Sequence, residues 1–137
     1  MRTAAVVLAL LLAACSRPAG TLQASEGWIR ASAVDGPMAG YLSLHNGTAS
    51  DLRCDGASGA DFGAIEIHRT SVENGMSRML RDQVVAVRAG GSARLEPGSY
   101  HLMLFRPQRT LPAGSSSRIT LSCGALSVAA DFIVKAQ

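Results

Sequence analysis

The 137-residue sequence reads as one all-β domain, a sandwich or a barrel. Short runs of strand-like patterning recur from Leu22 to Val134, turn residues interrupt them at intervals of roughly 8 to 12 residues, and no stretch keeps a long helical period. The expected strands begin with Leu22–Arg30, which runs towards Asp35-Gly36-Pro37, and Gly40–Asn46, which ends at Asn46-Gly47. Leu52–Cys54 and Ala64–Thr70 follow, then the turn Glu73-Asn74-Gly75 and a strand Met79–Val87. Ser92–Leu95 lies between Ala89-Gly90-Gly91 and Pro97-Gly98, Tyr100–Phe105 comes next, and Pro112-Ala113-Gly114 introduces Arg118–Cys123 and Leu126–Val134. Aromatic residues are only 4% of the chain, so the core must be built mostly from Leu, Val, Ile and Ala.

Residues 1–14 carry one charge, Arg2, followed by an apolar run from Ala4 to Leu12. That run is too short to span a bilayer and matches a secretory signal. It ends Leu12-Ala13-Ala14-Cys15, which resembles a bacterial lipobox and implies Cys15 as the lipidated first mature residue; ordinary cleavage nearby is the alternative. Ser16 after the cysteine points, by analogy, to an outer-membrane destination. Residues 15–22, with Pro18 and Gly20, read as a tether, and 23–137 as the single domain. Without Arg2 the chain has 12 Lys+Arg against 10 Asp+Glu. This small, scattered excess forms no basic run or patch and argues against nucleic acid.

The chemistry concentrates between His68 and Met103, where His68, Met79, His101 and Met103 draw on a chain with three His and five Met. A two-residue period puts His101 and Met103 on one strand face and Leu102 and Leu104 on the other. Likewise Ile65 and Ile67 oppose Glu66 and His68, so His68 reads as a polar-face residue outside the core, and Glu66 is a candidate partner for its second ring nitrogen. The Glu73-Asn74-Gly75 turn can return Met79 towards His68. Thioether sulfur with imidazole nitrogen is a ligand set for Cu(I), with Cu(II) as the alternative state, rather than for Mg, Ca or Zn.

The spacing H-x10-M-x21-H-x-M of these four residues is similar to the motif of the PCu(A)C family of periplasmic copper chaperones. Ile65-Glu66-Ile67-His68 resembles the family's strand into the first His, and Leu95-Glu96-Pro97-Gly98-Ser99-Tyr100-His101-Leu102-Met103-Leu104 resembles its L-x-P-G-x-Y-H-x-M-L segment. The resemblance runs from Trp28 to about Val134; where some members add a Met beside the first His, this chain has Arg69. It implies a cupredoxin-like sandwich and the four residues as copper ligands. It also implies delivery to an apo acceptor, a respiratory oxidase subunit or its assembly factor, from the periplasm.

Cys54 and Cys123 are expected to pair in an exported domain, the rival being a thiolate ligand, which lacks the nearby downstream His and Met of a blue-copper loop. Trp28 reads as core, Met38 and Met76 as loop or packing residues, and His45 as a strand-end residue. No nucleophile elbow, H-E-x-x-H or acid pair supports an enzyme. The competing reading is a metal-free envelope lipoprotein acting as a structural or interaction module.

Overall fold

A computed structural model describes residues 20–32 and 36–137. The signal segment 1–14, Cys15, the tether up to residue 19 and Asp35 of the first expected turn lie outside the described residues. Among the described residues there are eleven strands and no helix: β1 Leu22–Arg30, β2 Met38–Asn46, β3 Leu52–Cys54, β4 Gly56–Ser58, β5 Phe62–Glu73, β6 Met76–Leu80, β7 Val85–Val87, β8 Ser92–Leu95, β9 Tyr100–Pro107, β10 Ser116–Cys123 and β11 Leu126–Lys135.

Seven of them close a ring in the order β1, β11, β10, β4, β5, β9, β2 and back to β1, a barrel-like sheet. β1 runs parallel to β11, and the other neighbours in the ring are antiparallel. Closure removes the open edges that an exposed sheet presents. β8 extends the sheet from β2, β6 extends it from β5, and β3 and β7 pair separately. Strand alternation fills the interior: Ile29, Leu44, Leu102, Leu104, Ile119, Leu121, Phe132 and Val134 are almost fully buried. Each such side chain contributes roughly 1.5–3 kcal/mol by leaving water. Cys54 and Cys123 form a disulfide between β3 and β10 across 69 residues of sequence.

Three local expectations change. Met79–Val87 is not one strand: β6 pairs with β5 and β7 with β3, and between them Asp82 takes a left-handed φ of 52°, which turns the chain from one sheet to the other. β4, Gly-Ala-Ser, has no strand propensity and exists because β10 and β5 flank it. Trp28 is not core. It lies half-buried on the outer face, where its ring stacks against Tyr41 at 4.5 Å, because the bulge between Ser25 and Trp28, with Glu26 at φ 56°, sets which way β1 turns its side chains.

Candidate metal centre

β5 is the element on which the site is assembled. Its inner residues Ile65 and Ile67 pack into the core, which leaves Glu66, His68, Thr70 and Val72 on the outer face. Across one edge, β9 places His101 directly opposite His68 and Met103 opposite Glu66. Across the other, β6 places Met79 opposite Thr70, diagonal to His68 on the same face. Register therefore gathers all four candidate donors on one face of three adjacent strands. β6 gets there through a two-residue hairpin in which Asn74 (φ 51°) and Gly75 (φ 75°) join Glu73 to its partner Met76, the turn whose twist matches antiparallel strands.

Burial is uneven. His68 and His101 are only 3% and 4% exposed, so His68, expected outside the core, is nonetheless covered. It keeps the predicted outward direction, but neighbouring rings roof it: His101 at 5.8 Å and Phe105 at 6.1 Å between centroids. Tyr41 lies 6.4 Å from His101 and extends the cluster to Trp28, with Arg30 over both rings. Met103 is half-buried, whereas Met79 is 53% exposed. Met79 belongs to an arm on which Val72, Met76 and Leu80 are also exposed, and among the described residues the outer edge of β6 pairs with nothing.

The hydrogen bonds identify one donor nitrogen on each ring. Nε2 of His68 lies 2.7 Å from Glu66 Oε2, a carboxylate oxygen that only accepts, so Nε2 carries the proton. Nδ1 of His101 lies 3.3 Å from the Ser99 carbonyl and donates to it for the same reason. The other nitrogen of each ring, Nδ1 of His68 and Nε2 of His101, is buried with no partner among the described residues. Orphaned buried acceptors are uncommon and costly, and two of them on facing rings fit a shared metal ion. Burial pushes the His101 value down; the Ser99 hydrogen bond opposes the shift and the nearby Arg30 charge adds to it.

Glu66 is held in turn by Arg81, whose Nη2 lies 2.9 Å from Oε1 and 3.0 Å from Oε2 and whose Nε lies 3.2 Å from Oε2. These bonds, then the one from His68, hold the Glu66 carboxyl below its ordinary value. Sequence reasoning missed Arg81, although the two-residue period carried on from Met79 puts it on the same face. Tyr41 and Trp28 left no local signal, since their place depends on the registers of β1, β2 and β9. Among the described residues no three of His, Cys, Asp and Glu gather into a metal-holding group, so further donors to an ion here would be the thioethers. Met38 packs in the core, Met76 is exposed at the start of the arm, and His45 is an exposed strand-end residue 3.0 Å from Ser92 Oγ.

Comparison with known proteins agrees with this architecture. The copper-bound PCuAC domain from PmoF2 superposes with a TM-score of 0.70 at 21% identity, covering 88% of this chain and 97% of that one. The solution structure of CuI-DR1885 from Deinococcus radiodurans gives 0.59 at 22% identity, covering 89% and 81%. In sequence, "Putative lipoprotein Lxx21020" of Leifsonia xyli is 27% identical over 106 residues, 77% of this chain and 63% of its own length. "Uncharacterized protein RP573" of Rickettsia prowazekii is 31% identical over 81 residues, 58% of this chain and 45% of its own. The chain thus spans less than two thirds of these curated relatives. The family model described as "Putative lipoprotein LpqE-like" matches residues 22–130, and the chain belongs to that LpqE-like family, part of the PCu(A)C group.

Proposed function

We propose that this chain is an exported copper carrier that holds Cu(I) between His68, Met79, His101 and Met103 and passes it to an apo acceptor by ligand exchange. One observation carries the reading: two buried imidazoles face each other, each with its free nitrogen unpartnered, on the same sheet face as two thioethers. With metal–nitrogen bonds of about 2 Å, each ring centre lies roughly 3 Å from a shared ion, so two rings on one ion stand at most about 6 Å apart. The observed 5.8 Å is within that reach. The donor set is soft and neutral, which suits Cu(I) first and Cu(II) second. Thioethers have no proton to lose, and neutral ligands leave the ion's charge uncancelled, so a stronger acceptor can remove it.

The finer parts of the reading rest on the resemblance and are proposed with it. Glu66 orients His68 by holding its Nε2 proton, the closed ring is a cupredoxin-like sandwich, and the chain is a carrier rather than an enzyme. Export through residues 1–14 and lipidation at Cys15 would tether it in the periplasm, at the outer membrane. Its acceptor would be a respiratory oxidase subunit or an assembly factor. Relatives and neighbours support this reading, since one is called a putative lipoprotein and two of the similar structures are copper-bound forms.

Anaerobic titration of the purified chain with Cu(I), in competition with Zn, tests the proposal. One Cu(I) per chain, bound in preference to Zn, is expected. No binding, or Zn binding as tight as Cu(I), overturns it and leaves the metal-free interaction module.

A further inference from the structure

We propose that Arg81 is a positioning residue for the copper site, and that its ion pair with Glu66 fixes both the nitrogen that His68 offers and the place where Met79 stands. The inference rests on the copper-carrier reading and adds to it a residue outside the four donors. Arg81 follows Leu80, the last residue of β6, and continues the alternation that puts Met79 on the outer face. Its guanidinium makes three bonds to the two oxygens of Glu66, at 2.9, 3.0 and 3.2 Å. Glu66 Oε2, which accepts two of them, also accepts the proton of His68 Nε2 at 2.7 Å. One carboxylate therefore joins the end of the β6 arm to the imidazole on β5.

Two consequences follow from that junction. A carboxylate pinned on both oxygens cannot swing away from His68, so Nε2 remains the protonated nitrogen and Nδ1 the bare one. Nδ1 is the buried atom without a partner. The same pinning adds a side-chain anchor to the arm two residues beyond Met79: β6 is exposed along its whole length and, among the described residues, pairs with β5 alone. After Arg81 the chain bulges at Asp82 with φ 52°, and a single backbone bond, from Gln83 N–H to the Ile67 carbonyl at 2.9 Å, still ties it to β5 before it leaves for β7. Stability does not explain the pair, because Arg81 is 65% exposed and Glu66 27%, and ion pairs at such sites add little to folding.

The test compares Arg81→Gln and Arg81→Lys with the unaltered chain. In the metal-free protein, nitrogen-15 NMR of the imidazoles should show His68 protonated at Nε2, and a mixture of both neutral tautomers in Arg81→Gln. His101, held by Ser99, should not change and serves as the internal control. Cu(I) affinity should fall about tenfold in Arg81→Gln, at the lower end of what losing an outer partner of a ligand costs, with the thermal midpoint of the metal-free protein unchanged. Arg81→Lys should recover only part of both, since an ammonium cannot span two carboxylate oxygens in the fork geometry. An Arg81→Gln protein with an unchanged His68 tautomer, or with unchanged Cu(I) affinity, overturns the proposal. If the unaltered chain binds no Cu(I), the carrier reading fails separately, and the tautomer measurement still decides whether Arg81 sets the ring.

Discussion

His68 and His101 each spend one ring nitrogen on an acceptor-only partner, and among the described residues the other nitrogen of each meets no partner, which is the arrangement the proposed copper site needs. The two methionines differ in a way that matters for testing. Leu keeps nearly the volume of Met, so Met79→Leu and Met103→Leu should leave the thermal stability of the metal-free protein close to that of the parent, while Cu(I) affinity drops tenfold or more, about 1.4 kcal/mol, in a competition titration. Met38→Leu and His45→Asn should leave copper affinity unchanged, because Met38 packs in the core and His45 bonds Ser92 away from the motif. If the motif variants unfold instead, these residues are packing and not ligands. A pH effect belongs to the same scale. Burial depresses the His101 value in the folded state, so below about pH 6.5 the unfolded chain takes up a proton there that the folded chain refuses. Metal-free stability should therefore decline as the pH falls from about 6.5, and urea midpoints of His101→Leu should lose that part of the slope.

The arm formed by the end of β5 and by β6 is the element that separates this site from an ordinary sheet face. Among the described residues β6 has β5 as its one strand neighbour, and both central residues of the turn sit in the left-handed region. Val at position 75 cannot adopt φ 75° cheaply; Gly75→Val should cost about 1–2 kcal/mol, and the cost should fall on the arm because the core does not contact the turn. Hydrogen exchange of the β6 amides should accelerate while the global urea midpoint moves little. Cu(I) affinity should fall several-fold as Met79 loses its register with Thr70. Unchanged affinity in that variant would mean that Met79 does not bind from the paired position. β9 forms the contrasting half: it is paired to β5 and β2, and His101 and Met103 are carried on a strand whose alternate residues Leu102 and Leu104 are wholly buried.

For the whole molecule the disulfide is a covalent long-range constraint on top of the strand pairing. Cys54 and Cys123 are fully buried and bridged across 69 residues, which on the chain-entropy account adds roughly 4 kcal/mol by restricting the unfolded chain. Protein taken from an oxidising compartment should show no free thiol at these two positions on denaturation. Reduction should lower the melting temperature, while Cu(I) stoichiometry persists as long as the protein stays folded, because neither sulfur lies among the four donors. Two titratable thiols in the oxidised protein, or loss of copper on reduction without unfolding, would contradict this assignment.

The sequence by itself determined which residues point together along each strand, because side-chain alternation is local: Ile65 and Ile67 go inward, and Glu66 with His68, and His101 with Met103, go outward. It also determined the turn at Asn74-Gly75, since few residues tolerate two consecutive left-handed positions. Only the tertiary structure decided which strands are neighbours. Register between β5 and β9 places His68 against His101, and pairing on both sides turns Gly56–Ser58 into a strand despite its composition. Burial is likewise a property of the assembled sheet: rings from β9 roof His68 on an outward face, and a bulge in β1 takes Trp28 out of the core. Arg81 belongs to this second class, because meeting Glu66 requires β6 to lie beside β5, and a contact across strands has no signature within either one.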